Sequence, residues 1–161
     1  MPAILRTSDT PLPTLARFGV ALILLPHGAQ HVLGWFGGYG FQGTLGWMTG
    51  TLGFPAPLAV LALITEMAAP LALVLGLGGR VAAVGVIGLM LGAASTHLPN
   101  GFFMNWFGAL PAGSEGFEYH LLMIALAGVV ALGGSGAWSL DLLLGREHPV
   151  SIPSRITRAA A

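Results

Sequence analysis

Between Pro55 and Leu77 the chain reads PAPLAVLALITEMAAPLALVLGL, an apolar run with a single carboxylate, Glu66, in its middle. Wound as a helix at ~1.5 Å per residue, the run reaches roughly 34 Å, enough to cross hydrocarbon ~30 Å thick. Glu66 then falls near the midplane, where an ionised side chain costs roughly 2.5–3.5 kcal/mol unless it is protonated, paired or wetted. Whatever else the chain folds into, it must answer that carboxylate.

The remainder is of the same kind. Across 161 residues, 55% are hydrophobic and 7% charged, and the mean hydropathy is +0.82. A soluble domain of this size needs more polar surface, so the composition specifies a small integral membrane protein. Zero net charge and six scattered arginines leave no basic patch and argue against nucleic acid as a partner. With no cysteine, disulfides, thiolate metal sites and iron–sulfur clusters are excluded, and redox chemistry must use a bound cofactor or another chain.

Taken in order, residues 1–14 are polar and proline-broken and read as a short tail. The first span is expected over residues 15–36, with Pro26 kinking it beside His27. This run outlasts a signal-peptide core and lacks a small-residue cleavage pattern, so it is expected to be retained. An aromatic, glycine-rich connection (Tyr39, Phe41, Trp47, Phe54) follows, with a short interfacial helix at Gln42–Met48. The second span covers 55–77, and Pro70 is expected to free the Glu66 carbonyl and loosen the helix there. A glycine turn leads to the third span, 81–98, whose Gly85, Gly88 and Gly92 suit close helix contact. A second aromatic connection (Phe102, Phe103, Trp106, Phe107) precedes the fourth span, 117–132. Residues 143–161 form a polar tail.

Every arginine falls on one side of this plan: Arg6 and Arg17 at the N-terminal end, Arg80 in the turn after the second span, and Arg146, Arg155 and Arg158 in the tail. Positive residues concentrate in cytoplasmic segments. The expected fold class is therefore all-α, a four-transmembrane-helix bundle with both termini cytoplasmic and two aromatic-rich outer loops. Arg17 and Arg80 are expected to snorkel to the inner interface, with Asp141 pairing one of them.

Counting depth along each span brings the remaining ionisable residues into the outer half of the bundle. His27 and His31, spaced i, i+4, share one face of the first span. His97 closes the third, Glu118 and His120 open the fourth, and Glu66 lies deeper. A polar cluster in an apolar bundle is the usual form of a small-molecule site. Glu66 and Glu118 are the candidate catalytic acids, and His27, His31, His97 and His120 the candidate cofactor-binding residues. A metal or haem, if one is held, would be held by His27 and His31. Each has a plainer reading: an interhelical hydrogen bond for the histidines, a favourable helix N-terminus for Glu118, a structural pair for Glu66.

The order of these pieces resembles the DoxX family over residues 15–142: Arg17, His27-Gly28 with His31 where many relatives place lysine, Gly53-Phe54-Pro55 before Glu66, Gly76 and Arg80, His97, Glu118, and Ser139-Leu140-Asp141. The resemblance implies a four-helix membrane domain in the cell inner membrane, with relatives among subunits of thiosulfate:quinone oxidoreductase and thiol redox complexes. Two functional readings stand. One is a quinone-linked oxidoreductase or its membrane subunit, with a redox protein or small molecule as electron donor. The other is a non-enzymatic binder or transporter of a small molecule or metal, or a scaffold for redox partners. Either could be oligomeric in the bilayer.

Overall fold

The computed structural model describes residues 5–111 and 113–146; the tail arginines Arg155 and Arg158 lie outside the described residues. Among the described residues the chain is all helical: α1 (Pro11–Gly28), α2 (Gly40–Gly50), α3 (Ala56–Leu75), α4 (Gly79–His97), α5 (Glu118–Gly133) and α6 (Leu140–Arg146). α1 starts four residues before the apolar run at Leu15, because Pro11 and Pro13 suit a first turn, whose N–H groups lack partners in any case. Its end is also earlier than expected. After Gly28 the backbone widens into a π-type turn, Ala29–Leu33, and Gly34 at φ 75° stops it short of Phe36. The other three expected spans begin and end within two residues of α3, α4 and α5. The expected short helix at Gln42–Met48 extends to both flanking glycines as α2.

Three helical stretches are long and apolar enough to cross a membrane: Pro11–Leu33, Ala56–Leu75 and Gly79–Asn100. The fourth apolar helix, α5, is shorter at 16 residues, about 24 Å. α1 packs against α3 and α5, and α4 packs against the same two helices. Their shared core is built from Val20, Leu24, Leu73, Val86, Met123 and Val130, all buried.

One end of this packing is tied by charge. Arg17 is fully buried rather than snorkelling, and its guanidinium donates to the carbonyls of Leu73 (2.6 Å), Val74 (2.7 Å) and Trp138 (2.7 Å). Two of these are last-turn carbonyls of α3, at the negative end of the helix dipole, where Leu73 keeps only a capping bond from the Gly76 N–H at 3.2 Å. Asp141 does the converse at the next helix. It accepts from the backbone N–H of Gly78 (2.8 Å) and Gly79 (3.1 Å) at the start of α4 and from the Ser135 hydroxyl (2.6 Å). Arg17 and Asp141 thus interact electrostatically, as expected of a pair, but without direct contact: each charge bonds backbone groups at a helix end that lie closer to it than the opposite charge does. Gly76, between the two caps at φ 64°, has no room for a side chain: a methyl there would sit 2.4 Å from the Ser139 Cβ. Arg80 bonds the carbonyls of Arg6 (2.9 Å) and Ala131 (2.5 Å), closing the same end.

The middle of α3 differs from expectation too. Pro70 removes a donor, yet the helix runs unbroken from Ala56 to Leu75. The Glu66 carbonyl is met instead by α1 at Gly28, where a methyl would come within 2.6 Å of that oxygen. Close backbone approach at a glycine keeps the freed carbonyl covered without unwinding the helix.

Candidate functional site

Toward the other end of the packed helices lies a cavity of about 770 Å³, within the size range of small-molecule sites. α1 and its π-type turn bring His27, Gln30 and His31 to its wall; α3 brings Glu66; α4 brings His97; and α5 brings Tyr119 and His120. Five of the six residues singled out from sequence therefore meet in one space.

At its centre His31 Nδ1 lies 2.9 Å from Glu66 Oε2, an ion pair or neutral hydrogen bond according to protonation. This answers the midplane carboxylate, which is otherwise almost wholly buried at 9% exposure. The π-type turn sets the geometry of that contact: the backbone carbonyl of His31 accepts from the Thr44 hydroxyl of α2 at 3.0 Å, fixing the widened turn. π-type turns of this sort are enriched at functional sites. The rings of His27 and His31 lie 6.2 Å apart, and His27 lies 6.5 Å from Tyr119.

On the α4–α5 side, the rings of His97 and His120 pack at 4.8 Å with their planes tilted by 42°, and Tyr119 and His120 meet edge-on at 5.3 Å. His97 Nδ1 is held by the Ala93 carbonyl at 2.9 Å. On this side the Tyr119 hydroxyl is buried with no hydrogen-bond partner, while buried His120 has only the backbone of Phe117, one turn back, to bond its ring. Buried polar groups in folded proteins are nearly always satisfied, so the Tyr119 hydroxyl, on a residue that lines the cavity, is a candidate to bond a ligand or water there.

Glu118 stands apart. Its Oε2 accepts from the Met104 N–H (3.2 Å) and the Trp106 indole (3.1 Å), pinning the loop before α5, while Met104 and Glu115 of that loop reach the cavity wall. The two aromatic connections also divide. Trp47 and Phe54 line the cavity, whereas Phe103, Trp106 and Phe107 are strongly exposed.

Of the three glycines expected to allow close helix contact, Gly85 does so, a side chain there meeting Thr65 Cγ2 of α3 at 3.1 Å, and the other two act otherwise. Gly88 and Gly92 have nothing within 4 Å of where a side chain would begin, and with Gly85 they line the cavity; their smallness makes room for it. Among the described residues no group of three His, Asp or Glu side chains is placed to hold a metal ion. For the proposed His27 and His31 ligation, this leaves a two-residue set, with His31 already engaged by Glu66.

Tyr119 escaped the sequence reading, although a signal for its neighbourhood was present. His120, Met123, Ala127 and Val130 form one buried stripe at helical spacing, so the core-facing side of α5 begins in the turn that carries Tyr119.

A family model described as DoxX matches residues 12–106. No curated protein and no solved structure matches the chain. The matched stretch includes Arg17, His27, His31, Glu66 and His97, and it covers more than half of the sequence. The chain belongs to the DoxX family.

Proposed function

We propose that this membrane protein binds a quinone head group in the cavity and acts as the quinone-reducing component of an oxidoreductase, alone or as its membrane subunit. The observation that carries the reading is a His31–Glu66 pair sharing one mostly apolar cavity with His120 and with Tyr119, whose hydroxyl has no partner. A quinone offers two carbonyl oxygens to such donors and a flat ring to the apolar wall. Reduction adds two electrons and two protons and converts both carbonyl oxygens to hydroxyls. The His31–Glu66 pair, joined across 2.9 Å, would deliver one proton as a general acid and, once reprotonated from water, the second; Tyr119 and His120 would orient the ring. Electrons must come from a small reduced substrate or a partner protein, because the chain has no cysteine to hold a dithiol or an iron–sulfur cluster.

The same proposal places the protein in the cell inner membrane as a four-span bundle with both termini cytoplasmic. Its support is the clustering of Arg6, Arg17 and Arg80 at the end opposite the cavity. α5, though short, completes the packing between α1 and α4.

Titration of the purified protein with a tail-less benzoquinone, read by quenching of tryptophan fluorescence, tests the site, since Trp47 lines the cavity. Saturable quenching is expected, with affinity reduced about tenfold or more in Glu66→Gln and in His27→Ala, the scale of a lost charge-assisted hydrogen bond or a lost wall residue. Affinity indistinguishable from wild type in both variants contradicts the reading.

A further inference from the structure

α5 is shorter than the helices it packs against, and the shortfall lies at one end. Near Arg17 it is level with the start of α1, since a side chain at Gly133 would meet the Pro13 ring at 2.7 Å. Fourteen residues along each helix, Tyr119 and His27 again lie side by side, their rings 6.5 Å apart. Beyond that level α1 and its π-type turn continue to Leu33, about 9 Å further, whereas α5 has only Glu118 left. There the connection 98–117 takes over. The carbonyls of Gly101, Phe102 and Phe103 accept from the N–H groups of Phe117 (3.2 Å), Glu118 (2.9 Å) and Gly116 (3.0 Å), so residues 101–103 run beside the first residue of α5. A 16-residue helix covers about 24 Å of a hydrocarbon layer ~30 Å thick, which leaves the segment paired with its end still at the apolar boundary.

We propose that residues 102–110 are an interfacial loop immersed at the hydrocarbon–headgroup boundary of the leaflet at the cavity end, with lipid covering their aromatic surface, and that they complete the passage α5 leaves unfinished. Three observations converge on this. The connection has one charged residue in twenty, Glu115, and that one lines the cavity. Its outward side chains are Phe103, Trp106, Phe107 and Leu110, with Phe107 97% exposed, and this surface continues the exposed apolar stripes of Leu91 and Leu98 on one side and Leu121 and Leu122 on the other. Aromatic rings of this kind favour the headgroup level. Non-helical backbone in an apolar layer needs partners within the protein, and side chains supply them here. Asn105 accepts from the Leu110 N–H (3.1 Å) and donates to its carbonyl (2.8 Å). Asn100 donates to the carbonyls of Gly113 and Glu115, both at 3.0 Å. Glu118 accepts from the Met104 N–H and from the Trp106 indole. Since Met104 and Glu115 also reach the cavity wall, that part of the wall is backed by lipid, whatever molecule the cavity takes.

The chain has no cysteine, so single substitutions can be spin-labelled without background. The test places Phe103→Cys, Phe107→Cys, Leu91→Cys and Arg6→Cys, one at a time, in the full chain in phosphatidylcholine nanodiscs. It then compares collisions of each label with oxygen, which concentrates in lipid, and with a water-soluble nickel chelate. Leu91, exposed on α4, is the lipid reference, and the exposed Arg6 at the opposite end is the aqueous one. The oxygen-to-nickel collision ratio at Phe103 and Phe107 is expected to exceed that at Arg6 by about threefold or more and to approach that at Leu91, because a charged chelate is excluded from apolar surroundings. Phe103 meets the Phe102 ring edge-on; should its replacement disturb the loop, Phe107, which is almost wholly exposed, decides alone. A ratio equal to that at Arg6 overturns the proposal, since the loop then stands in water. Infrequent collisions with both reagents overturn it as well, since protein, a second copy or a partner, then covers the surface in place of lipid.

Discussion

At the Arg17 end of the molecule a buried guanidinium donates to α3 and α6-side carbonyls, and Asp141 caps the start of α4. At the opposite end, the Glu66 carboxylate has one close partner, His31, and the Tyr119 hydroxyl has none. Both ends bury polar groups among the same helices. The first joins charges to helix termini and leaves no space around them; the second surrounds its polar groups with a cavity of about 770 Å³. Arg17 Nε is also buried without a partner, so it is the cavity and the His31–Glu66 pair on its wall, rather than unmet hydrogen bonds, that separate a binding site from a structural lock.

Substitutions at the two ends should therefore fail in different ways. The largest effect is expected for Arg17→Leu, which removes the side-chain donor from the Val74 and Trp138 carbonyls and one of two donors from Leu73 and should cost about 3 kcal/mol of stability, measured by denaturant-induced unfolding in micelles. Gly28→Ala comes next. A methyl 2.6 Å from the Glu66 carbonyl must push α1 off α3, at about 1–3 kcal/mol, and should also weaken quinone binding because His31 and Glu66 sit on those two helices. Asp141→Ala removes the cap on Gly78 and Gly79 and should lower stability by about 1–2 kcal/mol without changing the affinity of whatever protein remains folded. Tyr119→Phe should show the reverse: unchanged thermal stability, since the hydroxyl has no partner to lose, with quinone affinity lowered about fivefold to tenfold. The smallest effect is expected at Glu118→Gln. The amide oxygen can still accept from Met104 and Trp106, so both stability and binding should stay near wild type; loss of turnover there would restore Glu118 to the catalytic role that its sequence position suggested.

The helices themselves were legible because long apolar runs and flanking prolines and glycines determine where a chain can be helical in lipid. The convergence of His27, His31, Glu66, His97 and His120 followed from depth alone. What depth could not supply was direction around each helix. Glu118 and His120 lie at nearly the same depth, but two residues apart they point about 200° from each other, and only His120 heads the buried stripe that continues through Met123 and Ala127. The same rotation problem hid the purpose of Gly88 and Gly92, which read equally well as a contact seam or as the wall of a void. Arg17 was misjudged for another reason. The carbonyls it caps belong to α3 and the segment before α6, remote in sequence from α1, and no local pattern announces such partners.

The central claim, that the cavity is a quinone site, is tested most directly by a high-resolution structure of the protein saturated with tail-less benzoquinone. The account predicts ring density between the His31–Glu66 pair and Tyr119, with one quinone oxygen within hydrogen-bonding distance of the Tyr119 hydroxyl or His120 Nδ1. A cavity filled by a lipid chain or by ordered water alone, with both atoms bonded to that water at saturating quinone, would contradict it.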